Sequence, residues 1–272
     1  MTRAETSEGE AETVTHDHLL GGRVRLWQPK QGMRASIDAI FLAAAIPAKS
    51  GEHIFEAGIG SGAASLALLA RVPGIQITGV DIEPGALELA ARNGEQNGWR
   101  DAINLIETDI TTATVARLAA IGACPPFDHA LAHPPFQQPR PGRLPGRSIH
   151  IAPGRRPAGA LQEWVVRLAG LVRGGGTVTL IHQAPALPEL LAAMQRQLGG
   201  LVVLPLAPRA GMPAKRVLVR ATRGSRAPLR LLAPWTLHRD GGDYTCQTQA
   251  VLRDAMAIDL ASDKQPGAPE GG

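Results

Sequence analysis

The chain has 272 residues, 44% of them hydrophobic, which is enough to bury one substantial core in a single large domain. No apolar run approaches the ~20 residues that a membrane-spanning helix needs, and the amino terminus is acidic, so neither a membrane protein nor a secretory signal is predicted. Cys124 and Cys246 lack metal-ligand spacing and indicate no disulfide framework, and the eight histidines form no zinc pattern, so the composition favours a metal-free cytoplasmic protein.

Polar segments flank the predicted domain. Residues 1–18 are acidic and lack an apolar period, and residues 262–272 have the same polar character, so both segments are predicted to be disordered. Between them, over residues 19–261, apolar strands alternate with helices at the spacing of βαβ units. We predict a Rossmann-like α/β domain with a short amino-terminal addition. Its sheet has seven mostly parallel strands, one of them antiparallel because of a closing hairpin, with helices on both faces.

A glycine-rich turn follows the first predicted strand of this sheet, His53–Ala57, and precedes a helix over Ala63–Arg71. Glycine accepts positive φ and lets a ligand approach the backbone without a Cβ in the way. A strand, a glycine turn and a helix together place free N–H groups beside a ligand. The spacing is G-x-G-x-G rather than the G-x-G-x-x-G of most dinucleotide sites, and a tight turn of any α/β protein is the alternative. The candidate ligand-site residues of this turn are Glu56, Gly58, Gly60 and Gly62.

The next two predicted strands end in acidic residues. Gln76–Val80 is followed by Asp81, about twenty residues beyond the glycines, where a carboxylate can accept hydrogen bonds from both ribose hydroxyls. Glu83 competes for that role but lies further from the strand end. Asp109 follows the strand Ile103–Ile106 and is either a ligand contact or the N-cap of a helix. The candidate residues at these two strand ends are Asp81, Ile82, Asp109 and Ile110.

Two consecutive prolines follow the fourth predicted strand, Phe127–Ala132, in the segment His133-Pro134-Pro135-Phe136. Prolines lack an N–H donor and fix φ, so they end the strand and form a stiff corner. Ligands of open α/β sheets bind outside the carboxyl ends of the strands. The corner therefore presents His133 and Phe136 to the same edge of the sheet as the glycine turn.

These segments, in this order, resemble the class I methyltransferases that use S-adenosyl-L-methionine. The corner at His133–Phe136 looks like the Asn/Asp/Ser-Pro-Pro-aromatic motif of enzymes that methylate an amino group of adenine, guanine or glutamine. Three further segments, Leu19–Gln28, Gly32–Ala44 and Leu204–Arg220, are similar to bacterial tRNA(Val) adenine-37 N6-methyltransferases. The similarity covers nearly the whole predicted domain.

The resemblance implies roles for individual residues. In such enzymes the first side chain of the corner and a proline carbonyl accept hydrogen bonds from the target amino group, while the aromatic ring stacks on the base. It implies that Asp109 contacts the adenine of the cofactor, and it adds Gln28 and Asp38 to the cofactor side. Asp38 is also favoured electrostatically near the start of a helix that Ser36 caps. The catalytic candidates are His133, Pro134, Pro135 and Phe136.

The chain departs from the family pattern where His133 replaces Asn and Phe136 replaces Tyr. Phe stacks on a base as Tyr does, so the second change is mild. Neutral imidazole offers one acceptor nitrogen, whereas protonated imidazole offers none and repels a cationic methyl donor. A non-catalytic paralogue that binds cofactor or RNA is therefore the alternative to an active enzyme.

An arginine-rich segment follows the corner, and it contains no Asp or Glu between Gln137 and Arg156. Such a loop can neutralise RNA phosphates and fix register while the pocket selects the base. A solvated arginine-rich loop is the alternative. With aromatic residues at 3%, an extended stacking platform is not predicted. The candidate RNA-binding residues are Arg140, Arg143, Arg147, Arg155 and Arg156.

We expect tRNA as the substrate, with neither DNA nor a membrane as a partner. A ribosomal RNA base and a glutamine of a release factor are alternative targets. The glutamine target is disfavoured because enzymes of that type usually carry a sizeable amino-terminal helical domain, whereas a short polar segment precedes Leu19 here.

Overall fold

The computed structural model of the chain describes residues 14–32, 34–135 and 161–262. The strands in these ranges are β1 Val14–Leu19, β2 Val24–Pro29, β3 His53–Ala57, β4 Gln76–Asp81, β5 Ile103–Glu107, β6 Phe127–Ala132, β7 Val172–Gln183, β8 Gly199–Ala207, β9 Arg216–Thr222, β10 Arg230–Leu231 and β11 Trp235–Thr236. The helices are α1 Ile37–Ala44, α2 Ala63–Arg71, α3 Pro84–Gln96, α4 Val115–Ala120, α5 Leu161–Leu171, α6 Leu187–Gln195 and α7 Cys246–Asp254. Within these ranges, no helix is long and apolar enough to span a membrane.

The central sheet has the order β5-β4-β3-β6-β7-β9-β8, and the short strands β10 and β11 both pair with β8. The pairs from β5 to β7 are parallel, whereas β9 is antiparallel to both β7 and β8. This confirms a mostly parallel sheet with one antiparallel strand formed by the closing hairpin. The sheet has nine strands rather than the predicted seven, because β10 and β11 have two residues each and are too short for a periodic pattern.

Helices cover both faces of the sheet, and the alternation of side chains along the strands divides the core in two. In β3, Ile54 packs with residues of α1 and α2 on one face, whereas Phe55 packs with residues of α5 and α6 on the other. The same alternation separates Leu131 from Ala130 in β6. Because successive residues of a strand point to opposite faces, near-continuous apolar runs are what a sheet covered on both sides requires.

The amino-terminal addition is a β-hairpin in which β1 pairs antiparallel with β2. The prediction of disorder was wrong for residues 14–18, which form most of β1. Its polar side chains have partners: Asp17 accepts hydrogen bonds from Gln28 at 2.7 Å and from Arg34 at 2.9 Å. Underneath, β2 buries Val24 and Leu26 completely. Residues 1–13 and 263–272 of the two predicted tails lie outside the described residues.

Two asparagines, Asn93 in α3 and Asn97 at its C-cap, fasten this hairpin to the domain. The amide of Asn93 accepts from the Trp27 N–H at 2.7 Å and donates to the Trp27 carbonyl at 2.8 Å, as a neighbouring strand would. One turn further along, Asn97 makes the same pair of bonds with Arg25, at 2.9 and 2.7 Å. Asn93 also donates to the carbonyl of Ser61 at 2.9 Å. The hairpin is thus held to the glycine-rich turn through one buried amide.

Candidate cofactor and substrate site

The glycine-rich turn crosses the carboxyl end of β4. The N–H groups of Gly58 and Ile59 donate to the Val80 carbonyl at 2.8 and 3.0 Å. Gly58, Gly60 and Gly62 have φ values of +69°, +55° and +87°, which L-residues rarely adopt. A Cβ on Gly58 would also lie 3.2 Å from the Trp164 ring. The backbone at this edge of the sheet therefore depends on glycine, as the sequence predicts.

Glu56, the acidic residue before the turn, lies buried near the end of β3. Its carboxyl group accepts a hydrogen bond from the hydroxyl of Ser65 in α2. Burial raises the pKa of Glu56 to about 8, the negative charge of Asp81 adds to that rise, and the hydrogen bonds from Ser65 oppose it. At neutral pH the carboxyl group of Glu56 is therefore largely protonated and neutral.

Asp81 ends β4 beside the turn, and two backbone N–H groups hold its carboxylate. Gly60 donates to Oδ2 at 2.8 Å and Glu83 donates to Oδ1 at 3.1 Å. Glu83 contributes its backbone and lies exposed at the start of α3, so the structure favours Asp81 for contact with a ribose. The neighbouring Ile82 is 40% exposed.

Asp109 lies in the turn after β5, where its Oδ1 accepts hydrogen bonds from the Thr111 N–H at 2.9 Å and from the Thr111 hydroxyl at 2.7 Å. The next helix, α4, begins at Val115 and is capped by Thr114, so the helix-cap interpretation of Asp109 was wrong. Asp109 instead stabilises a turn within the loop, because its side chain bonds to the backbone two residues further on. The side chain of Ile110 is buried in the core.

The proline corner stands at the carboxyl end of β6, next to β3 and its glycine turn in the sheet. Pro134 is buried, and Pro135 and His133 are partly exposed. Phe136 and the five candidate RNA-binding arginines, from Arg140 to Arg156, lie outside the described residues. The structure thus brings the first three residues of the motif to the same edge as the cofactor candidates.

Charged side chains from two distant elements meet at His133. Asp38, in the first turn of α1, is buried, and its Oδ2 accepts a hydrogen bond from Arg216 Nε of β9 at 2.9 Å. The same oxygen lies 3.8 Å from His133 Nε2. Burial lowers the pKa of His133, Asp38 raises it, and Arg216 and His182 lower it. His133 is accordingly neutral at pH 7.

Residues 34–137 match the family model of the methyltransferase small domain. A predicted O-methyltransferase from Agrobacterium tumefaciens has a similar structure, with a TM-score of 0.67 and 26% identity over 81% of this chain and 97% of that one. The chain has the class I methyltransferase fold. Of the strand ends in this fold, those of β3, β4 and β6 provide the glycine turn, Asp81 and the corner that begins at His133.

Curated proteins similar to this chain include two kinds of methyltransferase. The tRNA1(Val) (adenine(37)-N6)-methyltransferase of Dickeya chrysanthemi is 25% identical over 231 residues, which are 82% of this chain and 87% of that protein. The release factor glutamine methyltransferase of Chlorobaculum tepidum is 32% identical over 129 residues. That match covers 47% of this chain and only 42% of the length of the relative.

The residues at the methyltransferase site fit S-adenosyl-L-methionine, the cofactor of this fold class. The glycine turn leaves room at the backbone, since a Cβ on Gly60 would meet nothing within 4 Å. The Asp81 carboxylate is already oriented by two N–H groups, and Ile82 is exposed beside it. With its raised pKa, Glu56 stays largely neutral beside a ligand that carries a positive sulfur.

Gln28 and Asp38, assigned to the cofactor side by resemblance, have other partners in the structure. The Gln28 amide donates to Asp17 and accepts from the Ala35 N–H at 2.8 Å, so it links the hairpin to the segment before α1. Asp38 pairs with Arg216. Both side chains are buried, and Gln28 joins the hairpin to the segment before α1 whereas Asp38 joins α1 to β9.

Four residues that the sequence analysis did not single out belong to this site or support it. They are Ser65, Asn93, His182 and Arg216. Ser65 faces Glu56 because it lies one turn into the helix after the glycine turn, and that short spacing is readable in the sequence. No local signal marks the other three, because their partners lie far away along the chain.

Proposed function

We propose that this protein transfers a methyl group from S-adenosyl-L-methionine to the exocyclic amino group of an adenine in tRNA. The observation that carries the proposal is the placement of the His133–Pro135 corner on the strand next to the glycine turn, at the same sheet edge. The similarity to a tRNA1(Val) adenine-37 enzyme over 82% of this chain supports tRNA as the substrate.

The bound cofactor supplies an electrophilic methyl group on a positively charged sulfur. Asp81 holds the ribose, and the glycine turn accommodates the rest of the nucleoside close to the backbone. On the other side of the site, His133 and the Pro134 carbonyl accept hydrogen bonds from the target amino group and orient its nitrogen. Catalysis then comes mainly from positioning the two reacting atoms.

Phe136 is proposed to stack on the target base, and the arginines from Arg140 to Arg156 to bind RNA phosphates. Both proposals come from the sequence. The two segments follow Pro135 in the chain, and Pro135 lies just beyond the carboxyl end of β6.

The test is methyl transfer from labelled S-adenosyl-L-methionine to tRNA transcribed without modifications, followed by digestion to nucleosides. We expect label in N6-methyladenine. A ribosomal RNA transcript and a release factor serve as alternative acceptors in parallel reactions. Label in glutamine, or in a ribosomal base alone, would replace the tRNA proposal, and cofactor binding without transfer to any acceptor would indicate a binding protein.

A further inference from the structure

His133 stands where three elements of the fold converge. Asp38 approaches it from α1, Arg216 from β9 and His182 from β7. Among the residues that the structure describes, these are the groups whose charges act on His133. Arg216 donates to Asp38 at 2.9 Å, so the carboxylate that faces His133 is paired with a guanidinium.

The imidazole ring has a definite orientation. Its Nε2 atom is buried and lies 3.8 Å from Asp38 Oδ2. The whole side chain is nevertheless 30% exposed, so the accessible part of the ring is not Nε2. Nδ1 is separated from Cβ by two bonds, as the amide oxygen of an asparagine is. A histidine whose Nδ1 faces the ligand edge thus offers an acceptor atom at the bonding position of the amide oxygen that it replaces.

A carboxylate beside Nε2 determines which nitrogen of a neutral imidazole carries the proton. A lone pair on Nε2 would face the negative Oδ2, whereas an N–H dipole is attracted to it, and the hydrogen bond of one ring nitrogen sets the state of the other. At 3.8 Å the two atoms are beyond hydrogen-bond distance, and such contacts often shorten when the substrate binds. The electrostatic preference for Nε2–H is present in either case.

We propose that the Asp38–Arg216 pair is a positioning device that holds His133 as the Nε2–H tautomer, so that Nδ1 accepts a hydrogen bond from the target amino group. This inference rests on the proposed function, since it names the acceptor atom for an amino substrate. It explains how histidine replaces asparagine at the first position of the corner without loss of the acceptor.

The first test observes the tautomer directly, without methyl transfer. The full-length protein is labelled with ¹⁵N-histidine, and long-range ¹H–¹⁵N correlation spectra are recorded at pH 7.5. His133→Asn assigns the signals. We expect a non-protonated Nδ1 and a protonated Nε2 for His133. An Nδ1–H tautomer, or a doubly protonated ring, would overturn the proposal.

A matched pair of variants tests whether Asp38 is the cause. Asp38→Asn removes the charge that raises the pKa of His133, so the midpoint of the His133 titration is expected to move to lower pH. The control is Glu52→Gln, which removes the carboxylate beside a different histidine. Glu52 lies 3.1 Å from Nε2 of His129, within β6. That variant is expected to move the His129 titration and leave His133 unchanged. An unchanged His133 titration in Asp38→Asn contradicts the proposal.

The pH profile of methyl transfer separates this inference from the proposed function. With His133 as the acceptor, kcat/KM falls at low pH as Nδ1 becomes protonated. This acidic limb is expected to shift to lower pH in Asp38→Asn and to disappear in His133→Asn. If the spectra show the expected tautomer but no acceptor is methylated, the proposed function fails while the assignment of the His133 tautomer stands. An acidic limb that persists unchanged in His133→Asn would overturn the role of Nδ1.

Discussion

The cofactor half and the substrate half of this site hold their polar groups in different ways. In the cofactor half, backbone N–H groups hold Asp81 and a hydroxyl faces a neutral Glu56. In the substrate half, a guanidinium holds the Asp38 carboxylate beside His133. We infer that the first half holds its carboxyl groups with uncharged donors, whereas the second holds its carboxylate with an opposite charge.

Removal of the Asn93 side chain should have the largest effect on stability, because this buried and uncharged amide makes three hydrogen bonds. Asn93→Ala is expected to lower the free energy of unfolding by about 3 kcal/mol, since three hydrogen bonds are lost and the partly buried backbone groups of Trp27 and Ser61 lose their partner. Cofactor affinity should fall with it, because Ser61 belongs to the glycine turn. Chemical denaturation and a cofactor titration measure the two effects.

Asn97→Ala, at the C-cap of α3, is the matched control for Asn93→Ala. Asn97 is only partly buried and bonds to the backbone of Arg25 in the hairpin. Its described hydrogen bonds go to Arg25 and Asn93, not to the glycine turn. A loss of about 1 kcal/mol with unchanged cofactor affinity is expected. Equal losses of affinity in both variants would show that the hairpin, rather than the contact with Ser61, supports the cofactor half.

Breaking the Asp38–Arg216 pair in the substrate half should lower stability for a different reason, because it leaves a charge without its partner. Arg216→Met leaves the buried Asp38 carboxylate without its guanidinium, and breaking such a pair is expected to cost about 3 kcal/mol, at the low end for buried pairs because Arg216 is 31% exposed. The double variant with Asp38→Asn should regain most of that loss. Strictly additive losses in urea denaturation would mean that the two side chains do not interact.

The same difference between the halves explains what could be predicted from the sequence. The cofactor half is nearly continuous along the chain, so strand, glycine turn, helix and Asp81 followed from local spacing, and the strand His53–Ala57 and the helix Ala63–Arg71 were predicted to the residue. In the substrate half, Asp38 and Arg216 are 178 residues apart. Nothing local pairs them, because only the antiparallel insertion of β9 brings Arg216 to the ligand edge.

The amino-terminal hairpin shows a second limit. Its first strand, β1, pairs with β2 but carries polar side chains, such as Asp17, that bond to other polar side chains. It therefore lacks the apolar alternation that predicts strands. The amides of Asn93 and Asn97 replace a neighbouring strand, and an asparagine in a helix gives no signal that it will do so. Disorder was therefore predicted for residues 14–18, where the chain in fact forms a strand that pairs with β2.

A neutral Glu56 makes the stability of the cofactor half depend on pH. The pKa in the folded state, about 8, exceeds the ordinary value, so the folded protein holds the proton more tightly than the unfolded chain does. The stabilisation is complete below the ordinary pKa of glutamate and is lost as pH rises through about 8. Between pH 6 and 7.5 the unfolding free energy is expected to fall by about 2 kcal/mol from this group.

Glu56→Gln keeps the size and the hydrogen-bonding capacity of the side chain but cannot ionise. Its unfolding free energy should therefore decline less than that of the wild type over the same pH range, so that the variant becomes relatively more stable as pH rises. Guanidinium denaturation at pH 6 and at pH 7.5 gives the comparison. Parallel changes in both proteins would mean that Glu56 is ionised in the folded protein, and that the cofactor half also depends on charge.

Asp81 is the carboxylate that we place against the ribose of the cofactor, and its loss should have the smallest effect on folding. Asp81→Ala removes an acceptor for the Gly60 and Glu83 N–H groups, but both lie at the exposed ligand edge, where water can replace it. Cofactor affinity should fall about tenfold, or about 1.4 kcal/mol, by loss of the ribose contact. Glu83→Gln, a change of the adjacent exposed carboxylate, should leave affinity unchanged. If calorimetric titration instead shows the loss in Glu83→Gln, the ribose is held by Glu83, and the cofactor half has been assigned to the wrong carboxylate.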